Sequence, residues 1–190
     1  MGEEYGSLVL TNFAKMYPEN VKGMVLVKPF DEEILKTSKF KKSIRFKYYK
    51  SKLEYLGSSV FVTSILDKLG LSTTVDGFEE SLPRGANDEF AVHKTKKEYR
   101  QAVAREVGNL YKYEEVSQIN DLIGNNPLYI ISNNENDPLM KLGPKEYSNL
   151  YVTDSEAKLI PIADEDMIVN GISHVLKEVK KIERKSNKNK

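Results

Sequence analysis

The sequence contains no cysteine and only two histidines. Without cysteine, the chain can form no disulfide, use no thiolate nucleophile and offer zinc no sulfur ligand. A formal net charge of +1 argues against binding of nucleic acid or membranes through the overall charge of the surface. No apolar run approaches the ~20 residues of a membrane span, and no signal peptide precedes Gly2. We therefore expect a cytoplasmic protein whose partners include neither nucleic acid nor membrane.

Enough apolar residues remain for one folded domain. The 190 residues suit a single domain of ordinary size. The hydrophobic fraction of 39% lies below the globular average and the charged fraction of 30% lies above it. Because Phe, Tyr, Ile, Leu and Val are all well represented, we expect a packed core rather than disorder.

The opening of the chain reads as a turn, a helix and a strand. From Ser7 to Tyr17, apolar side chains recur at helical spacing on one face, and Pro18 ends the helix. Met24–Val27 is a short run of apolar residues that suits a buried parallel strand. Helix and strand in this order form half of a βαβ unit.

Residues 31–125 differ in character and predict a mostly helical insertion. We expect helices at residues 60–69, ended by Gly70, and at residues 95–111. A loop containing Asp76-Gly77 and Pro83-Arg84-Gly85 lies between them. The insertion opens with a basic and aromatic stretch formed by Lys36, Lys39, Phe40, Lys41, Lys42, Arg45, Phe46, Lys47, Tyr48, Tyr49, Lys50 and Lys52.

Two interpretations of this basic stretch remain open. Its lysines could neutralise phosphates while Tyr48 and Tyr49 stack on nucleic-acid bases. Alternatively, it is a solvated helix whose lysine stems cover apolar surface. We favour the solvated helix, because the chain has no large positive excess and the acidic residues 31–33 lie next to the stretch.

The βα pattern returns after residue 125. Residues 127–132 predict a second strand and residues 158–163 a third, in which Pro161 cannot donate to a ladder and so indicates a sheet edge. Residues 168–182 predict a final helix, and the basic tail is expected to fray. The fold class is therefore α/β, with about three parallel strands and flanking helices.

The first residues carry the most specific motif. Gly2-Glu3-Glu4-Tyr5-Gly6 matches the pattern Gly-x-nucleophile-x-Gly, in which the first glycine permits a sharp turn and the second lets the next helix pack closely on the sheet. With the helix that ends in Tyr17-Pro18-Glu19-Asn20-Val21 and the strands above, the chain resembles the α/β-hydrolase family from the nucleophile elbow onward. The resemblance implies an elbow, helix and first core strand at 1–30, a helical cap or lid at 31–125, further core strands and a helix at 126–184, and a frayed tail at 185–190.

The resemblance implies a catalytic site whose residues have changed. The nucleophile position falls on Glu4, and the acid position falls on Asp137, with Glu135 as the rival. The histidine position falls on Asp166, and the N–H of Tyr5 matches one oxyanion donor. The resemblance therefore implies a catalytically degenerate hydrolase. It also implies a small-molecule ligand in a lidded pocket, with no cofactor and no metal.

The alternative is a hydrolase that, when full length, is active on a small ester-like or epoxide substrate. A carboxylate at the elbow can form an ester intermediate with an ester-like or epoxide substrate, but a histidine must then activate water to release it. Glutamate is also one methylene longer than the aspartate of such enzymes. This moves the attacking oxygen by roughly 1.5 Å, and a misplacement of that order can cost about a hundredfold in rate. We favour a structural role, in which the Glu4 carboxylate accepts free N–H groups at the helix start, worth about 0.3–1 kcal/mol.

The other candidate groups also have structural explanations. We interpret His174 as a helix-surface residue and His93 as solvent-facing, and Ser7 as a packing or capping residue rather than a displaced nucleophile. Residues 164–166, with Glu4 and Asp137, could offer oxygen ligands to a hard cation. An exposed acidic turn explains the three consecutive acids more simply.

The strand that leads into an elbow is expected to be absent, because the chain begins at the turn. Met24–Val27 would then expose an apolar edge that invites pairing with another chain. A truncated gene, a fragment completed by a partner and a new small domain each explain this, and we favour truncation because no charge or proline protects the edge. A protein-interaction module that uses this edge, through self-association or a partner, is a third class of function. A signal peptide in a preceding segment would change the expected localisation.

Overall fold

The computed structural model describes residues 1–58, 62–71, 82–155 and 160–188. The chain forms two units. The first, here called the sheet unit, comprises Met1–Ile34 and Glu115–Lys190. The second, the helical unit, comprises Leu35–Glu114.

Within the described residues, four short parallel strands form the sheet of the sheet unit. They are β1 (Gly2–Glu3), β2 (Met24–Val27), β3 (Leu128–Ser132) and β4 (Ser148–Val152), and they lie side by side in chain order. Of the two central strands, β2 is Met-Val-Leu-Val and β3 is Leu-Tyr-Ile-Ile-Ser, and both are mostly apolar and buried. Such runs are typical of parallel strands that are buried on both faces.

The helices in the described ranges, in chain order, are α1 (Gly6–Met16), α2 (Glu32–Lys36), α3 (Ser38–Gly57), α4 (Val62–Lys68), α5 (Arg84–His93), α6 (Lys97–Tyr111), α7 (Ile160–Ala163) and α8 (Glu165–Lys188). Short 3-10 helices lie at Pro18–Asn20, Pro138–Leu142 and Lys145–Tyr147.

Each face of the sheet packs on a different helix. Ala14 of α1 belongs to one apolar cluster with Leu26 and Ile130. Val175 of α8 belongs to the other, with Val25. Neighbouring residues of a strand point to opposite faces, so Val25 and Leu26 divide between the two clusters.

A buried carboxyl group joins the two segments of the sheet unit. Glu32 is 3% exposed, and its oxygens accept from the N–H groups of Ser117 (2.9 Å) and Gln118 (3.0 Å). The side chain of Gln118 also bonds to the first segment. Its Oε1 accepts from the N–H of Glu32 at 2.8 Å, and its Nε2 donates to the carbonyl of Phe30 at 2.8 Å. The chain thus leaves and re-enters the sheet unit at one hydrogen-bonded point.

The helical unit is built around α3 and α6. The rings of Tyr48 and Tyr111 stack with centroids 4.7 Å apart. Gly108 leaves room for this stack, because a Cβ atom there would lie 3.3 Å from Cε2 of Tyr48.

An ion pair is buried between the same two helices. Nη1 of Arg100 lies 3.3 Å from Oε2 of Glu54, and both side chains are almost completely buried. Asp67 of α4 extends the network, with an oxygen 3.8 Å from Nη2 of Arg100 and another 3.0 Å from Nζ of Lys94. The basic stretch therefore lies on a helix that also buries a charge partner.

Most predicted elements are confirmed. The first helix, the strand Met24–Val27, the strand at 127–132, the helix at 95–111 and the final helix all appear, with small shifts at their ends. The predicted helix at 60–69 is described from Val62, and Gly70 after it has φ +66°, a conformation typical of a C-cap glycine.

The predicted third strand at 158–163 is wrong in its described part. Ile160–Ala163 is helical, and residues 156–159 lie outside the described residues. Pro161 is tolerated because it lies in the first turn, where its missing N–H has no partner to lose. The edge strand on the side of the sheet opposite β1 is β4, whose Asn149 is a residue type that strands disfavour.

The expectation that β2 has an unpaired edge on the elbow side is also wrong. Gly2 pairs with Leu26 and Glu3 with Val27, in parallel. β1 therefore covers the carboxyl-terminal half of β2, Leu26 and Val27.

Two smaller expectations are corrected, and one falls outside the description. Pro83-Arg84-Gly85 is not a loop, since α5 begins at Arg84 with Pro83 as its N-cap. The tail is helical as far as Lys188, because Lys, Glu and Arg are good helix formers. The loop at Asp76-Gly77 lies outside the described residues.

Replacing Glu32 by glutamine tests the junction of the two segments. Glu32→Gln places an NH2 group where one of two backbone N–H donors now points, and hydrogen bonds to charged groups are worth about 1.5–3 kcal/mol each. We expect the free energy of unfolding to fall by about 2 kcal/mol, measured by urea denaturation. The matched control is Glu33→Gln, at the exposed neighbouring position, with an expected change below about 0.5 kcal/mol. Equal effects of the two variants would contradict the stabilising role of the buried Glu32 carboxyl group.

Candidate functional site

The turn after β1 has the backbone shape of a sharp strand-to-helix bend. β1 ends at Glu3 and α1 begins at Gly6, so that Glu4 and Tyr5 form the turn. Glu4 has φ +42°, in the left-handed region that costs a non-glycine residue about 1–2 kcal/mol. Its N–H donates to the carbonyl of Val27 at 3.0 Å, which extends the pairing of β1 with β2. Glu4 thus lies at the apex of the turn.

The two glycines of the motif have different surroundings. A Cβ atom at Gly2 would lie 2.7 Å from the carbonyl oxygen of Gly6, so strand and helix approach each other too closely there for any side chain. Among the described residues, a Cβ atom at Gly6 would have no neighbour within 4 Å. The close packing that the motif assigns to its second glycine is therefore found at the first.

A buried hydroxyl group fixes the turn. Ser7 is fully buried, and its Oγ donates to the carbonyl of Glu4 at 2.5 Å and accepts from the N–H of Phe30 at 2.9 Å. The ring of Tyr5 packs on that of Phe30, with centroids 4.6 Å apart. These contacts agree with the packing role of Ser7 and join the turn to the segment after β2. The oxyanion role of the Tyr5 N–H stays a prediction.

The carboxyl groups of Glu3 and Glu4 differ in environment. The Glu4 side chain is exposed, and within the described ranges its carboxyl group makes no hydrogen bond. The predicted capping of the helix start by Glu4 is therefore wrong, because its side chain turns into solvent. Glu3 is half-buried, and its Oε1 accepts from the N–H of Ile160 at 3.2 Å.

Burial changes the pKa of the Glu3 carboxyl group. Desolvation raises the pKa of the Glu3 carboxyl group above its ordinary value, and the negative charge of Glu4 acts in the same direction. The hydrogen bond from Ile160 and the charge of Lys28 oppose this increase. The Glu3 carboxyl group is thus engaged at the start of α7, whereas the Glu4 side chain is exposed.

Asp137, at the predicted acid position, caps a helix. It follows β3 by five positions of sequence and is only 8% exposed. Its Oδ1 accepts from the N–H of Leu139 at 2.9 Å, at the start of the 3-10 helix Pro138–Leu142. The rival, Glu135, is exposed. A sequence signal for the cap was available, since Asp followed by Pro is a common helix start.

Asp166, at the predicted histidine position, lies in the first turn of α8 and is exposed. Oδ1 of Asp164 accepts from the N–H of Met167 at 3.1 Å, which makes Asp164 the N-cap of α8. Acidic residues in a first helical turn interact favourably with the helix dipole. The acidic run 164–166 is thus explained as a helix start. Among the described residues, neither a hydrogen bond nor an ion pair joins Glu4 to Asp137 or Asp166.

His174 lies in the sheet unit, and His93 lies in the helical unit. Nε2 of His174 lies 2.8 Å from Nδ2 of Asn149, and its ring lies 5.4 Å from that of Tyr129. Tyr129 and Asn149 pair with each other at the level of Val25, near the amino ends of the strands. Glu4 follows the carboxyl end of β1. It lies roughly 10 Å from the level of Val25 along the strand direction, at about 3.3 Å per residue. His93 is exposed in the helical unit, 4.0 Å from Glu89.

A shallow groove of about 290 Å³ opens at the carboxyl ends of β2 and β3. It is lined by Lys28, Pro29, Ser132, Asn133 and Asn134. Lys28 has φ +40°, and its Nζ donates to the carbonyl of Ser155 at 2.8 Å. Ligands of open α/β sheets bind outside the carboxyl ends of the strands. Lys28 and Asn133 were not predicted as site residues. Their positions directly after two predicted strands were a signal that could have identified them.

The described part of the chain offers neither a cluster of metal ligands nor a membrane span. No three of its His, Asp and Glu side chains lie together as a metal site would require. None of its helices has the length and apolar character that a membrane span needs.

No protein-family model, no curated protein and no solved structure matches the chain. The resemblance to the α/β-hydrolase family therefore stays a prediction.

The two glycines of the turn should respond differently to alanine. Gly2→Ala forces a Cβ atom against backbone and should lower the free energy of unfolding by about 1–3 kcal/mol. Gly6→Ala adds a helix-favouring residue in open space and should leave stability unchanged or raise it by up to about 1 kcal/mol. Urea denaturation of both variants checks the difference. Equal losses in the two would be incompatible with the observed turn.

The raised pKa of Glu3 predicts a pH dependence of stability. The folded state holds the proton of Glu3 more tightly than the unfolded state, so the charged form costs stability above the raised pKa. That cost is removed as the pH falls through the raised pKa towards 4.5, the ordinary value. Glu3→Gln should therefore be more stable than the wild type at neutral pH, and the difference should shrink in mild acid. Denaturation at both pH values, with exposed Glu19→Gln as control, measures it; a difference that grows in acid would refute the assignment.

Proposed function

We propose that this chain is an α/β-hydrolase-like protein that does not hydrolyse esters. The turn around Glu4 carries the proposal. A strand, a left-handed residue at the apex and a helix follow one another as in a nucleophile elbow, at the edge of a parallel sheet. The residue at the apex is a glutamate, which cannot provide the alkoxide that attacks an ester carbonyl.

The groups around the turn support the absence of this chemistry. Ser7, the nearest aliphatic hydroxyl in sequence, uses its Oγ in two hydrogen bonds within the fold. His174 contacts Asn149 near the opposite end of the strands, so its imidazole cannot take a proton from a group at the apex. Asp137 and Asp164 use carboxyl oxygens as helix caps. Among the described residues of the sheet unit, these hydroxyl, imidazole and carboxyl groups are therefore engaged in structural contacts or lie away from the apex.

A carboxylate-nucleophile enzyme is the second candidate. Its supporting observation is the exposed Glu4 side chain at a strained apex, since strain of this kind is common at functional sites. The first step would form an ester between Glu4 and the substrate. The second step needs a base to activate water, and the neighbouring Glu3 carboxyl group instead accepts from the N–H of Ile160. This makes the first proposal the better supported one.

Two other expectations remain predictions within this proposal. A small-molecule ligand would find the groove beside Lys28 at the usual position for α/β sheets. Pairing through the sheet edge would involve β1 rather than β2, because β1 lies at that edge.

Hydrolysis assays separate the two candidates. We expect p-nitrophenyl acetate and a simple aryl epoxide to turn over at the same low rate with the wild type, Glu4→Gln and the control Glu19→Gln. A rate that falls tenfold or more in Glu4→Gln alone would support the second candidate and overturn the first. Intact-mass spectrometry after mixing with the epoxide provides an independent readout, since a covalent adduct on Glu4 would have the same meaning.

A further inference from the structure

A pocket of about 410 Å³ lies within the helical unit, between the first half of α3 and the end of α6. Its apolar base is formed by Leu35 and Ile44, which are buried, and by the half-buried Leu110. The volume falls within the range of roughly 300–1,000 Å³ that small-molecule sites occupy. We call this cavity, with the residues named here and below, the α3–α6 pocket.

Aromatic rings form the wall of the α3–α6 pocket. Phe40, Tyr111 and Tyr113 line it. Tyr111 is held in place by its stack on Tyr48, with ring centroids 4.7 Å apart and ring planes 15° from parallel. A ring fixed in this way needs little further ordering when a ligand arrives, and such preorganisation increases affinity.

Positive charges dominate the rim. Lys41, Lys42 and Arg45 line the pocket and are exposed, and Glu114 is the acidic residue in the same lining. Lys41 and Arg45 are four residues apart on α3 and so share one helix face. The planar guanidinium of arginine offers paired donors that suit carboxylate, sulfonate or phosphate oxygens.

Helix-end electrostatics explain only part of this arrangement. Cations stabilise the carboxyl end of a helix such as α6, but the effect falls off within the last turn. Lys112 already occupies the C-cap of α6. The dipole also gives no reason for an apolar base and an aromatic wall beneath the charges.

We propose that the α3–α6 pocket binds a small amphiphilic organic anion. The apolar body of the ligand lies against Ile44 and the ring of Tyr111, and its anionic head group pairs with Lys41 and Arg45. This site is independent of the turn at Glu4 and of the hydrolase resemblance.

Fluorescence titration of the full chain with anilinonaphthalene sulfonate, an aromatic anion, tests the proposal. We expect saturable binding that weakens about fivefold or more in the double variant Lys41→Gln/Arg45→Gln. The matched control is Lys39→Gln/Lys47→Gln, which removes two charges from the same helix outside the lining, with an expected change below about twofold. All four side chains are exposed, so the variants should fold, which circular dichroism checks.

A competition experiment tests the charge of the occupant. Decanoate should displace the probe from the wild type, whereas decyltrimethylammonium, with the same chain and the opposite charge, should not. Binding that is unchanged in Lys41→Gln/Arg45→Gln, or that weakens equally in the control, would overturn the proposal. Equal displacement by the two competitors would overturn it as well, since the site would then recognise only apolar surface.

Discussion

The carboxyl group of Glu32 connects two segments that lie far apart in the sequence. It accepts from the N–H groups of Ser117 and Gln118, more than eighty residues later in the chain, and Gln118 donates in return to Phe30. Both strands of the sheet core, β2 before this point and β3 after it, can pair only if the chain returns to the place where it left. The helical unit between residues 35 and 114 is therefore accommodated without disturbing the register of β2 with β3. A buried group that accepts several N–H bonds is well suited to this role, because removing any partner leaves another polar group unsatisfied.

The segment just before Glu32 also contacts the turn at Glu4. The N–H of Phe30 donates to Oγ of Ser7, which in turn donates to the carbonyl of Glu4. The strained backbone of Glu4 is thus held by contacts that extend from the turn through residue 30 to Glu32 and Gln118. Strain of about 1–2 kcal/mol persists only where surrounding contacts determine the conformation. The hydroxyl that holds the turn is, for the same reason, not available as a nucleophile.

The two units use polar groups in different ways. In the sheet unit, carboxyl groups cap helices: Glu3 at α7, Asp164 at α8 and Asp137 at a 3-10 helix. Asp137, which the family resemblance associates with catalysis, and Glu3, which adjoins the motif, thus satisfy N–H groups at helix starts, as Asp164 does. In the helical unit, Arg100 and Glu54 form a buried pair between α3 and α6, while the cations of α3 that face solvent line an aromatic pocket. One helix therefore combines a structural ion pair with a surface suited to an anion.

Several elements could be predicted because their residues carry a local pattern. The apolar runs of β2 and β3, the helical spacing in α1, α6 and α8, and the α/β order of these elements could all be predicted, because burial on two faces or on one face leaves a local signature. Other features depend on contacts between residues that are distant in the sequence. β4 is an edge strand with Ser148 and Asn149, so its identity comes from pairing with β3 rather than from its composition. Ile160–Ala163 reads as a strand but is helical, with the carboxyl group of Glu3 at its first N–H. Glu32 and Arg100 look like solvated charges in sequence, and only partners distant along the chain make their burial possible, because a buried charge is stable only when it is paired or hydrogen-bonded.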